Sequence, residues 1–259
     1  AMEAKKRSTM PSPNLEDRIK LQNPPENRRF AMHQQWRDLL FLHWTVSVDA
    51  IQKTLPSGLH VDTFENQAYL GIVPFFMQGV RPRWCPAVPW FSKFPETNLR
   101  TYVYDQNGTP GVWFYSLDAA RWLAVKFARR FFHLPYFHAR FRSTHGKAAE
   151  YDLYRFRGPV SKFIYRPSKN KMVAEPGSLS FFLVERYVLF AQGSNELYSG
   201  RVYHHPYPVY DAAVEKYDTA LAQHAGFDLD DSPPIHVAYS PGVDVKVYPL
   251  QNVSKSEGS

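Results

Sequence analysis

A single cysteine, Cys85, occurs in the 259 residues of the chain. That excludes an intramolecular disulfide and a cysteine-based metal cluster, and it suits a reducing compartment. Long apolar runs are missing as well, and none approaches the ~20 residues of a membrane-spanning helix. The cations near the N-terminus are followed by no apolar stretch, so that segment is not read as a secretory signal. A cytoplasmic location is expected, with no membrane partner. No glycine-rich phosphate loop joins a strand to a helix, and no G-x-S-x-G elbow is present. No cofactor is expected.

Aromatic residues are plentiful, at 16% of the chain with 16 Tyr and 19 Phe, and hydrophobic residues reach 44%. Aromatics suit pleated, half-buried surfaces, and the 21 prolines fit many short strands better than long helices. The composition points to a mainly β protein, α+β in detail, folded as one domain. Net charge is +7, part of it from Lys5, Lys6, Arg7, Arg18, Lys20, Arg28 and Arg29. Such a charge permits nucleic-acid contact without establishing it, and no nucleic-acid partner is expected. Self-association into a homo-oligomer is allowed.

Residues 1–30 are polar, basic and proline-containing, and are expected to be a flexible lead-in to a domain over 31–250, with 251–259 as a flexible tail. Order is expected to begin near Trp36. Leu39–Val46 reads as a buried strand whose conspicuous polar side chain is His43. Asp49–Leu55 fits a short helix with Asp49 as N-cap. Ala68–Met77 reads as a strand broken at Pro74. Leu99–Tyr104 and Gly111–Leu117 form a hairpin around Asn107-Gly108. A basic helix is expected from Asp118, as N-cap, to Phe132. Strands follow at Tyr136–Ser143, Ala148–Phe156, Val160–Arg166 and Leu197–His205. Helices are read at Leu179–Phe190 and Tyr210–Ala225, although the first half of the latter also suits a strand. Ile235–Tyr239 and Val243–Tyr248 close the domain around a Ser240-Pro241-Gly242 turn.

The chemistry concentrates between residues 96 and 136. Glu96, Asn98, Arg100, Tyr102 and Tyr104 alternate with Thr97, Leu99, Thr101 and Val103, so a strand would gather the polar group on one face. Facing solvent, that stripe is the wet side of a sheet. Facing inward, it offers an arginine for a carboxylate and a glutamate as acid or base. Residue chemistry alone leaves both open. His138 and Arg140 alternate with Tyr136 in the same manner. His204-His205 invites a metal reading, but neighbours on a strand face opposite ways, so no metal site is expected.

The run from Glu96 to Tyr136 resembles the acetoacetate decarboxylase superfamily. Residues 128–137 (Ala-Arg-Arg-Phe-Phe-His-Leu-Pro-Tyr-Phe) stand where that family has G-R-E-x-W-G-x-P-K-K, with Arg129 and Pro135 in place. More closely, the chain resembles the YqjF-like, DUF2071 group of uncharacterised proteins. The shared features are Phe41-Leu42-His43-Trp44, Gly71-Ile72-Val73-Pro74-Phe75, Glu96 to Tyr102, Phe114 to Ala119, Glu185-Arg186-Tyr187 and Ser240 to Asp244. The resemblance implies a cone-shaped β-barrel with three or four helices packed outside. It also implies an internal pocket that receives Glu96. His43 falls near the family's first-strand basic position.

One departure limits what carries over. The decarboxylase condenses a lysine with its ketone substrate, and a second cation lowers that lysine's pKa. Tyr136 and Phe137 stand at the two lysine positions, and neither is an amine, so Schiff-base decarboxylation is not expected. The expected ligand is a small organic molecule, anionic or carbonyl-bearing. Glu96, Arg100 and Tyr136 are the candidate catalytic residues; His43, Asn98, Trp113, Ser116 and His133 are candidate ligand-binding residues. Turnover would be that of a lyase, isomerase or hydratase. The alternative is a binding or sensing protein that kept the cavity and lost the nucleophile. Glu185-Arg186 is read as a structural ion pair.

Overall fold

A computed structural model describes residues 12–84, 94–120, 133–145, 148–230 and 232–253. Cys85 and most of the expected basic helix, residues 121–132, lie outside these ranges. Among the described residues the chain forms thirteen strands in one sheet, with four short helices.

Five strands form a shared wall: β1 (Met32–Val46), β3 (Ala68–Pro82), β4 (Phe94–Asp105), β5 (Pro110–Ala119) and β12 (His236–Val247). One ring of strands closes across this wall through β6 (Tyr136–His145), β7 (Ala149–Arg155), β8 (Val160–Met172) and β11 (Val209–Lys216). A second closes on the opposite side through β9 (Val188–Gln192) and β10 (Leu197–Tyr203). Two short edge strands, β2 (Leu59–Val61) and β13 (Gln251–Asn252), pair with β4 and β10.

The double ring explains why β1 and β3 read as continuous apolar runs. A strand buried on both faces loses the apolar-polar alternation of a half-exposed one. Leu40, Leu42, Leu70, Ile72 and Leu99 pack with Tyr151, Leu153 and Phe163 on one side of the wall. Leu39, Phe41, Val73 and Phe75 pack with Val202, Tyr207, Val243 and Val245 on the other. Each large side chain fully buried in such a core is worth about 1.5–3 kcal/mol of transfer free energy.

The structure changes several expected boundaries. Pro74 does not break β3, because it lies opposite an irregular stretch of β1 between Arg37↔Phe76 and Leu42↔Ile72. Its missing N–H costs no regular ladder bond there. Ser240-Pro241-Gly242 is not a turn but the middle of β12, with Gly242 paired to Arg37. Gly242 has φ +131°, and a Cβ there would lie 2.0 Å from the Trp36 carbonyl oxygen, so only glycine lets β1 approach. Residues 209–216 are strand β11; the helix α4 (Ala220–His224) follows. Asp118 does not cap a helix but sits inside β5.

The helices also depart from the expected arrangement. α2 (Val48–Gln52) is capped by Ser47 rather than Asp49. The helix α3 (Leu179–Val184) is shorter than expected, because residues 188–190 belong to β9. It does not pack outside: Phe181, Phe182, Leu183 and Val184 are all buried, and Leu183 reaches the polar face of β4. Ahead of β1, α1 (Leu15–Lys20) has a capping box between Asn14 and Asp17. Arg18 grips Asp62 through two bonds of 2.7 and 2.8 Å, and Arg201 holds the Leu21 and Asn23 carbonyls. Residues 14–23 are thus docked onto the domain, not a free lead-in. No described helix is long and apolar enough to cross a membrane.

Candidate functional site

The alternation of β4 sends Glu96, Asn98, Arg100 and Tyr102 to one face, and all four are buried. Tyr104 is only partly buried. The opposite face carries Thr97, Leu99, Thr101 and Val103, buried as well. The polar stripe is therefore interior, on the side of the wall that holds Phe41, Phe75 and Tyr207. Among the described residues three of its polar atoms have no hydrogen-bond partner: Glu96 Oε2, Asn98 Oδ1 and Arg100 Nε.

Register explains which neighbours join it. Asn98 pairs with Leu117 of β5, and Leu117 pairs with Tyr136 of the parallel strand β6, which brings Tyr136 to the same face. The Tyr136 hydroxyl donates to the Glu96 carboxyl. Burial outweighs that bond, and nearby Asp118 adds to it, so the Glu96 pKa is pushed up to about 8. At neutral pH Glu96 is thus a neutral acid. His138 and Arg140, although they alternate with Tyr136, are exposed.

Arg100 donates to the Leu183 carbonyl at 3.0 Å and lies 5.6 Å from the ring centres of Phe41 and Tyr102. Among the described residues no carboxylate lies within ion-pair distance of it. A buried cation without a counter-ion is costly unless something else neutralises it.

His43 and His236 are cross-strand partners, and their Nδ1 atoms are 3.0 Å apart. The Tyr102 hydroxyl donates to the Leu183 carbonyl at 2.8 Å, so it accepts from His43 Nε2 at 2.7 Å. His43 Nδ1 is then bare and accepts from His236 Nδ1–H. His236 Nε2 in turn accepts from the Ser180 hydroxyl at 3.0 Å. One chain of bonds thus satisfies two neutral imidazoles. Burial pushes both pKa values down, His236 to about 4, and the Arg100 charge also disfavours protonation of His43. Gly71 lies against this chain: a Cβ would sit 3.0 Å from His43 Cδ2 and 3.4 Å from the Tyr102 hydroxyl. Gly71→Ala is expected to cost about 1–3 kcal/mol through overpacking. Urea unfolding of this variant measures the cost; an unchanged midpoint would mean the chain has slack.

The remaining candidates do not gather at Glu96. Trp113 pairs with Thr101 and Ser116 with Leu99, which places both on the opposite face from Arg100. The cause is a bulge at Tyr115, which resets the parity of β5 against β4. Ser116 donates to Asp118, itself held by Arg155 through two 2.6 Å bonds. Trp113 and His133 line a separate cleft of about 420 Å³ with Phe114, Tyr115, Phe190 and Gln192. Glu185 and Arg186 are not each other's partners. Glu185 accepts from the Tyr207 N–H and the Tyr187 hydroxyl, whereas Arg186 pairs with Asp62 at 2.8 Å. Among the described residues no three His, Cys, Asp or Glu converge as metal ligands.

Tyr102 belongs to the polar stripe read from the sequence but not to the candidate site residues; His236 and Ser180 belong to neither. Tyr102 carried a signal as the next member of the polar stripe. His236 carried none, since only the β1–β12 register brings it to His43.

The DUF2071 family model, described as an uncharacterized conserved protein, matches residues 33–244. YqjF of Bacillus subtilis, likewise described as uncharacterized, is 39% identical over 228 residues, which is 87% of this chain and 93% of that protein. Acetoacetate decarboxylase from Legionella pneumophila superposes with a TM-score of 0.60 at 10% identity, covering 98% of this chain and 100% of its own. An acetoacetate decarboxylase-like enzyme from Sphingomonas wittichii RW1 also gives 0.60 at 10% identity, over 87% and 93%. The enduracididine biosynthesis enzyme MppR, with HEPES buffer bound, gives 0.59 at 12%, over 90% and 89%. At these identities the structural likeness is one of fold, and the fold is acetoacetate decarboxylase-like. The extent of the sequence match settles membership: this chain belongs to the DUF2071 family.

Proposed function

We propose that the face formed by Glu96, Asn98 and Arg100 binds a small anionic or carbonyl-bearing organic molecule. The observation that carries this reading is the buried Arg100, unpaired with any described carboxylate and on the same strand face as a glutamate that is neutral at pH 7. An anionic ligand supplies the missing counter-charge, and Glu96 donates a proton or hydrogen bond to its oxygen. Tyr136 fixes Glu96, and Tyr102 with His43 backs Arg100 through the shared Leu183 carbonyl. MppR has been described complexed with pyruvate, which supports a small acid as ligand of this fold. No lysine is among the buried described residues, in keeping with proton transfer rather than amine condensation. Any turnover is then that of a lyase, isomerase or hydratase. The lone Cys85 supports a cytoplasmic setting for it.

Calorimetric titration with pyruvate and related oxo acids tests the reading. Arg100→Gln is expected to weaken binding about 30-fold or more, the range for removing one partner of a buried charged contact. Glu96→Gln is expected to keep binding within a few-fold while lowering any turnover by about 10²–10⁴. Binding without turnover in the parent identifies a binding or sensing protein. Equal affinity of the parent and Arg100→Gln defeats the proposal.

A further inference from the structure

Resting on that reading, we infer that Asn98 selects for a hydroxyl group on the ligand, so the ligand is a hydroxy acid rather than a simple oxo or fatty acid. Asn98 is nine-tenths buried, and its Oδ1 has no partner. Its cross-strand neighbours are Val73 of β3 and Leu117 of β5, both hydrocarbon. Along its own strand the next side chains on that face are Glu96 and Arg100, each about 7 Å away at the rise of an extended chain. Among the described residues the wall around Asn98 therefore offers its amide oxygen nothing, and what satisfies it comes from the ligand side.

The kind of group follows from the donor and acceptor inventory. An amide presents an acceptor oxygen and a donor nitrogen, and a hydroxyl is the small group that serves both. With a carboxylate on Arg100 and a second oxygen toward Glu96, Asn98 faces the carbon chain between them. A methylene there leaves the amide oxygen unsatisfied, at a cost of about 10- to 100-fold in affinity, whereas a hydroxyl removes that cost. Sites built to hydrogen-bond a hydroxyl discriminate strongly against the analogue that lacks it. Arg100 then supplies affinity for the acid and Asn98 supplies the choice among acids.

Matched pairs read this directly: butanoate against 3-hydroxybutanoate and 4-hydroxybutanoate, and succinate against malate, titrated into parent, Asn98→Leu and Arg100→Gln. The parent is expected to bind the hydroxylated member of at least one pair about 10- to 100-fold more tightly. Asn98→Leu, close in volume and apolar like its neighbours, is expected to fold and to narrow that gap to about 2-fold while still binding the deoxy acid. Asn98→Ser, which keeps a donor and an acceptor, is expected to restore part of the preference. A parent that binds both members of every pair alike, with Arg100→Gln weakening both, overturns the role of Asn98 and leaves the anion site standing. A preference that survives in Asn98→Leu overturns it too. If no acid binds the parent, or Arg100→Gln weakens none, the underlying reading fails instead.

Discussion

Replacing Arg155 with methionine is expected to cost about 3–5 kcal/mol of folding stability, the range for stripping one partner from a buried ion pair. Asp118 is fully buried, and the Arg155 side chain is 5% exposed. Their two 2.6 Å bonds form a fork on one carboxylate, which also accepts from Ser116 at 3.3 Å. The guanidinium lies 4.2 Å from the Phe137 ring centre, so the pair ties β5 to β6 and β7. Methionine preserves the packing on Phe137 but leaves the Asp118 carboxylate without its cation. The double variant Asp118→Leu/Arg155→Met removes both charges and is expected to recover most of the loss. Urea unfolding of the four proteins measures the coupling. Additive single losses, with no recovery in the double variant, would mean that the residues act through packing alone.

The parts of the fold visible in the chain were those decided by local pattern. The polar stripe from Glu96 is visible because alternation on a strand is a local property, and Asn107-Gly108 marks its hairpin for the same reason. Burial on both faces hid the extent of β1 and β3, since their runs carry no alternation to measure. Pro241-Gly242 resembles a turn by composition, yet pairing with β1 overrides that preference and uses the glycine for a close approach to Trp36. Trp113 and Ser116 are expected in one pocket with Arg100, yet Trp113 lies across from Thr101 on the other face, and the bulge at Tyr115 turns Ser116 to that face as well. His43 was legible as a polar residue in an apolar strand. Its partner His236 lies 193 positions away and is brought to it by sheet register, which no local pattern encodes.

Stability is expected to peak near pH 6.5 and to fall on both sides, for two separate reasons. His204 and His236 have pKa values lowered to about 4, and His43 is also lowered, all mainly by burial. Below pH 6.5 the unfolded chain protonates these imidazoles while the folded chain resists, so stability is lost as pH falls from 6.5 toward 4. Glu96 acts in the opposite sense. Its folded pKa is raised from 4.5 to about 8, so the unfolded chain releases a proton above pH 4.5 that the folded chain retains. The stability it contributes is fully present below pH 4.5 and is lost as pH rises to about 8. Between pH 4.5 and 6.5 His204 and His236 oppose Glu96, for a net acid loss of roughly 1–2 kcal/mol per pH unit; His43 steepens it, and Asp118 and Glu185 act against it. From pH 6.5 to 8 the Glu96 contribution dominates, and about 2 kcal/mol is lost. Urea midpoints from pH 4.5 to 8.5 resolve both limbs. Glu96→Gln, which cannot ionise, is expected to make the alkaline limb shallower by about one proton and leave the acid one, while Asp118 and Glu185, also raised by burial, keep acting in the same sense. His204→Phe is expected to make the acid limb shallower by about one proton, since His204 stacks on Tyr187 and its Nε2 has no partner. An alkaline limb equally steep in Glu96→Gln and the parent would show that Glu96 is already ionised in the folded protein. The site would then lack its acid, and Arg100 would face a carboxylate rather than a neutral donor.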